Sequence, residues 1–317
     1  MTLSTAIDTF LEHLAVERQR SPRTIIAYRH YLTRFLLWLK SDPPLAQVTG
    51  DQIRGFRRYL TEYIDEHGDP LGYRTQTYHA IAIRALLRFA TKRGDACLPP
   101  DRIELAKASP AQVGYLEHQE LERILDAPDI NTMAGLRDRT ILEVLFSTGL
   151  RVSELAALNK VHVASETGEM RVIGKGRKER IVFLSTRARE WLVAYFARRQ
   201  DENPAAFVGY RGKGTGDHPS ALVQSQATRL TPRSMERSIA KRALEAGIMK
   251  TITPHTLRHS FATDLLLNGA DIRSVQVLLG HASITTTQVY THITNQRLRE
   301  VHERFHGKTL EEELPAN

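Results

Sequence analysis

The chain has 317 residues, 41% hydrophobic and 25% charged, a composition that suits a globular protein with room for two cores and excludes disorder throughout. Its 44 Lys and Arg against 36 Asp and Glu leave a formal net charge of +8, which points to an anionic partner. The single Cys97 excludes an intramolecular disulfide and a thiolate metal cluster, and no apolar run reaches the roughly 18 residues of a membrane span.

The opening stretch MTLSTAIDTFLEHL spaces Leu3, Ile7, Phe10, Leu11 and Leu14 as a helix does, and it lacks a basic leader with a cleavage site. A soluble, cytoplasmic protein with no membrane association is therefore expected. Ser21-Pro22 predicts the cap and first turn of a second helix through Leu39. Asp51 is the expected cap of a third helix carrying Ile53, Phe56 and Leu60, and a fourth is predicted over about 73–92, stopping at Gly94. From Leu98 to Gly114 the periodicity breaks between Pro99-Pro100 and Ser109-Pro110, which predicts an interdomain linker, placed at 108–114.

Beyond it, helices are predicted at about 117–126 and 132–147, then strands at 169–173 and 180–184 around the basic turn Gly174-Lys175-Gly176-Arg177-Lys178. Five Gly and Pro in residues 209–220 predict an exposed loop, and helices dominate to the end. The expected fold is mainly α: a four-helix domain over 1–107 and an α-rich domain over 115–306 with a small antiparallel β-sheet. Charge divides unevenly, with 16 basic and 12 acidic residues in 1–107, 26 and 19 in 108–299, and 2 and 5 in 300–317. The acidic tail accordingly reads as a protein contact rather than part of an anion-binding surface.

Several residues could carry chemistry. Arg151 follows a Gly-Leu break, so it starts a helix; there it can hold an anion together with free N–H groups, or pair with Glu154. Lys175 at a glycine-flanked tip can approach a ligand closely or remain a solvated cation, and Arg177 and Lys178 suit DNA phosphates. His255, Arg258 and His259 fall at i, i+3 and i+4 on one helical face. A zinc-protease reading fails because Thr256 occupies the position of the required glutamate, and no metal site is expected. An arginine beside an imidazole suits gripping a phosphate while moving a proton, with His259 as a structural histidine. His281 reaches a cleft or caps a helix, and Tyr290 is a rim or a core tyrosine.

Taken together, two arginines, a lysine, two histidines and a late tyrosine suit metal-free phosphodiester transesterification. The chain resembles the tyrosine recombinase (phage integrase) family through STGLRVSELAAL (147–158), VIGKGRKERIVFL (172–184), the 42 residues 253–294 and, more loosely, SPRTIIAYRHYLTRFLLWL (21–39). Within 253–294 the HxxR, the LLGH and a tyrosine nine residues after His281 occur in order, and the wording is most similar to the Xer branch. The loop at 209–230 is longer than that pattern, so an integrase or excisionase of a phage or mobile element is the alternative; a type IB topoisomerase or an inert DNA-binding accessory protein is a weaker fit.

The resemblance implies a SAM-like core-binding domain that clamps DNA with the catalytic domain, and no cofactor, metal or ATP. It implies Tyr290 as nucleophile, Arg151 and Arg258 on the non-bridging oxygens, and Lys175 as the acid for the leaving 5′-oxygen. His255 would assist removal of the tyrosine proton, and His281 would donate a further hydrogen bond to the phosphate. Implied partners are a specific duplex DNA site, a homo- or hetero-tetramer exchanging the tail at 307–317, and, for the Xer branch, a DNA translocase as activator. Resolution of chromosome or plasmid dimers is the implied role.

Overall fold

A computed structural model describes residues 1–65, 68–105, 114–163, 167–174, 179–209 and 227–280. The chain divides into two units, Met1–Ala111 and Gln112–Asn317. The predicted linker lies, apart from Gly114, outside the described residues.

The first unit is built on α1 (Leu3–Val16), α2 (Pro22–Leu39), α3 (Gly50–Glu62) and α4 (Tyr73–Lys92). Each amphipathic stripe turns inward, so that Leu3, Leu11, Leu32, Phe35, Phe56 and Leu86 are buried in one core. Ser21 caps α2 as expected, its hydroxyl accepting from the Thr24 N–H. The cap of α3 differs from expectation. Thr49, not Asp51, is the N-cap, because its hydroxyl accepts from the Gln52 N–H while the Gln52 side chain accepts from the Thr49 N–H. Asp51 sits two residues beyond the cap, within the first turn, where its carboxylate meets the positive end of the helix.

The second unit contains α5 (His118–Asp126), α6 (Met133–Thr148), α7 (Val152–Ala157), α8 (Lys160–Val163), β1 (Glu169–Ile173), β2 (Glu179–Phe183) and α9 (Thr186–Arg198). It continues with β3 (Val208–Gly209), β4 (Thr228–Arg229), α10 (Pro232–Glu245), α11 (Pro254–Leu267) and α12 (Ile272–Leu279). Its core joins α5, α6, α7, the β1–β2 pair, α9, α10 and the start of α11. Strands β1 and β2 pair antiparallel from Glu169 opposite Phe183 to Ile173 opposite Glu179. The second strand therefore ends one residue earlier than predicted, and the Leu184 N–H turns instead to the Gly168 carbonyl. A second two-stranded pair, β3 with β4, sets Val208 opposite Arg229 and Gly209 opposite Thr228 and was not predicted; residues 210–226 of the predicted loop lie outside the described residues. Among the described residues no helix is long and apolar enough to cross a membrane.

Candidate active site

Helix α6 stops at Gly149, whose φ of +60° belongs to the left-handed region that glycine adopts without cost. The chain then turns into α7 with Arg151 as its N-cap. Arg151 pairs with Glu154, the second of the two sequence alternatives: Glu154 accepts from the Arg151 backbone N–H at 2.9 Å and from its Nη1 at 2.9 Å. Arg151 Nη2 faces the carbonyl of Gly280 at 3.5 Å, and 30% of the side chain remains exposed.

Helix α11 opens with Thr253 as cap and Pro254 in its first turn. Thr256 is buried and reciprocates the cap, its hydroxyl accepting from the Thr253 N–H at 3.1 Å. The residue standing where a zinc protease has glutamate is thus part of the helix start, and among the described residues no group of His, Cys, Asp and Glu could hold a metal ion. Arg258, five residues beyond the cap and 5% exposed, reaches away from α11. Its Nη1 donates to the Gly149 carbonyl and its Nη2 to the Leu279 carbonyl at 2.5 Å. His255 lies one turn before Arg258 on an exposed position. Partial desolvation of its ring, followed by the charges of Arg258 and Arg151, lowers its pKa from the ordinary 6.5, which favours the neutral imidazole. His259, one residue on, is more buried and titrates at about 4 through desolvation and the neighbouring His255 and Arg258, as suits a structural histidine.

A third arginine completes this cluster. Arg180 on β2 grips Glu154 with both ends of its fork, Nη1 to Oε1 at 2.9 Å and Nη2 to Oε2 at 2.7 Å, and its Nε donates to the Leu278 carbonyl at 3.2 Å. Burial opposes ionisation of Glu154, but the hydrogen bonds from Arg180 and from the Arg151 backbone and side chain outweigh it and hold the carboxyl at about 2. Three successive carbonyls at the end of α12 (Leu278, Leu279 and Gly280) therefore face Arg180, Arg258 and Arg151 in turn. This is the end of a helix where partial negative charge gathers, and guanidinium groups are its natural partners. Gly280 has φ +64°, and a Cβ there would stand 2.9 Å from Arg180 Cδ, so the close approach also requires glycine.

Of the residues singled out from sequence, Arg151, His255 and Arg258 come together. Lys175, Arg177, Lys178, His281 and Tyr290 lie outside the described residues. Glu154 joins the cluster as the partner that the sequence offered for Arg151, and Arg180 is the member that sequence reasoning did not assign to it. A signal existed for Arg180, which shares the inward face of a short alternating strand with Val182.

Residues 114–297 match the profile described as Phage integrase family, and residues 7–94 match Phage integrase, N-terminal SAM-like domain. The chain is 36% identical over 312 residues to Tyrosine recombinase XerD of Oceanobacillus iheyensis, covering 96% of this chain and 99% of that one. It is 34% identical over 317 residues to Tyrosine recombinase XerC of Myxococcus xanthus, covering 97% and 99%. Its fold resembles that of the XerH site-specific recombinase in a post-cleavage complex with a palindromic difH substrate, at TM-score 0.66 and 24% identity, covering 90% of this chain and 80% of that one.

Proposed function

The chain belongs to the phage integrase family of tyrosine recombinases, and we propose that it acts as an Xer-type site-specific recombinase, cutting and rejoining duplex DNA through a 3′-phosphotyrosyl link on Tyr290. The observation that carries this reading is the meeting of Arg151 and Arg258 at the carbonyls of Leu279 and Gly280, immediately ahead of His281 and nine residues further to Tyr290.

In this reading the Tyr290 oxygen attacks the scissile phosphorus, and its proton passes to the neutral His255. The bond from phosphorus to the 5′-oxygen breaks, and Lys175 protonates that oxygen. A tyrosine of pKa near 10 is a poor nucleophile at neutral pH, so it depends on this base and on the positive charge around it. Arg151, Arg258 and His281 hold the non-bridging oxygens, where planar forks stabilise the charge of the five-coordinate transition state. Attack by a 5′-hydroxyl from another strand reverses the steps. The ester to tyrosine conserves the phosphodiester energy, so the reaction draws on neither ATP nor a metal. Arg177 and Lys178 would hold neighbouring phosphates.

The first unit supports a share in gripping DNA: a groove there brings Arg29, His30, Arg34 and Lys40 beside Trp38 and Tyr63, with the Arg34 guanidinium 4.4 Å above the Tyr63 ring. Assembly is proposed as a homo- or hetero-tetramer on its recombination site, with the acidic tail passed to a neighbour. Resolution of chromosome or plasmid dimers in the cytoplasm, with a DNA translocase as activator, is the role this branch suggests. The test is a nicked suicide substrate. The native chain should form a denaturant-resistant DNA adduct whose yield chelator leaves unchanged, and Tyr290→Phe should form none. An adduct that persists in Tyr290→Phe defeats the reading.

A further inference from the structure

Glu154 and Arg180 have no place in the reaction just described, yet they stand directly behind Arg151. Ionised and 6% exposed in its side chain, Glu154 would by itself cancel the charge of the arginine that caps α7. A neutral Arg151–Glu154 pair would then offer the scissile phosphate little. Arg180 alters that balance. It takes both carboxylate oxygens, while Arg151 shares only Oε1 through its side chain, so two guanidinium groups and one carboxylate leave a net charge of +1. The two arginines are also unequally placed. Arg180 is 11% exposed and pinned to α12 through Leu278, whereas Arg151 is 30% exposed. One cation is sealed against the carboxylate and the other remains open to a ligand.

We infer that Arg180 is a positioning residue for DNA cleavage: as the committed counter-ion of Glu154, it leaves Arg151 with the surplus positive charge that holds the scissile phosphate. The inference rests on the phosphate-holding role proposed above for Arg151. It assigns a function to a β2 residue whose partners lie 26 and 98 positions away.

Two substrates separate this from a packing role. Single-turnover cleavage by the full chain is measured on a nicked site carrying either an ordinary scissile phosphate or a methylphosphonate, in which a methyl group replaces the charged oxygen. Arg180→Gln should slow cleavage of the phosphate on the order of 10- to 100-fold, somewhat less than direct loss of a transition-state donor. On the uncharged methylphosphonate it should slow cleavage by less than about 3-fold, because there is little charge left to hold. Adding Glu154→Gln to Arg180→Gln should recover most of the rate on the phosphate, since the carboxylate that neutralises Arg151 is gone. Equal slowing on both substrates, or a double variant slower than Arg180→Gln alone, overturns the inference. Should Arg180→Gln fail to fold by thermal melting, the double variant, neutral and close in shape, is compared with the native chain. A slowing above about 10-fold on both substrates then overturns it, and near-native rates support it. Arg151→Ala on the methylphosphonate is the control. If that substrate does not relieve Arg151→Ala, the role proposed for Arg151 itself fails; relief of Arg151→Ala without relief of Arg180→Gln defeats only the present inference.

Discussion

Gly149 joins the packing of the second unit to the anchoring of Arg258, and replacing it with alanine perturbs both. A methyl group at its Cα would lie 2.5 Å from Phe261 Cδ1, 2.8 Å from Phe261 Cε1 and 3.0 Å from Leu279 Cδ2. The left-handed backbone at φ +60° costs a residue with a side chain about 1–2 kcal/mol. Making room in a close-packed interior adds about 1–3 kcal/mol. Gly149→Ala should therefore destabilise the second unit by about 2–5 kcal/mol. The chain has two tryptophans, Trp38 in the first unit and Trp191 in the second, so urea unfolding followed by fluorescence in a Trp38→Phe background reports on the second unit alone. With a urea slope of about 2 kcal/mol/M, the midpoint should fall by about 1–2.5 M. A fall below about 0.3 M would refute the steric argument. At temperatures where the variant stays folded, adduct formation should also drop, because the Gly149 carbonyl that receives Arg258 must move with its backbone.

Two further outcomes are expected. Glu154 titrates at about 2 in the folded chain against an ordinary 4.5, so the unfolded chain binds its proton more tightly. Its stabilisation, at most ~3 kcal/mol, is complete above pH ~4.5 and lost as the pH falls towards 2. The difference in urea midpoint between the native chain and Glu154→Gln should accordingly narrow from pH 5 to pH 3.5, and a constant difference would show that the carboxylate gains nothing from its arginines. A chain truncated after Arg299 removes the acidic tail; it should lose synaptic tetramers on DNA, measured by gel shift, and normal assembly and rate would exclude tail exchange.

The local features of this fold were legible because they depend on near neighbours in the chain. Ser21-Pro22 announced α2, the Gly-Leu break put Arg151 at a helix start, and the spacing of His255 and Arg258 put them on one face. Thr49 was missed in favour of Asp51 because the two lie two residues apart and both favour caps; the Gln52 side chain decides between them by completing the reciprocal pair. The β3–β4 pair escaped because two-residue strands carry no periodicity. Arg180 escaped for a different reason. Its sequence surroundings, Glu179-Arg180-Ile181, read as a basic strand leaving a turn, and nothing nearby indicates that Leu278 and Glu154 complete its bonds. Arg151 showed the converse, since its pairing with Glu154 was visible at i, i+3 but the Gly280 carbonyl 129 positions away was not.

The separations in that cluster bear on how the chain becomes able to act. Arg180 meets Leu278 across 98 residues, Arg258 meets Gly149 across 109, and Arg151 meets Gly280 across 129. Contacts this distant in sequence close late, after much of the intervening chain has already paid its ordering entropy. A nascent chain halted before α12, or one in which that helix has detached, has lost the carbonyls on which three arginines converge. If these arginines hold the scissile phosphate as proposed, competence to break a DNA strand would arise only with completion of the second unit rather than accumulate as it folds.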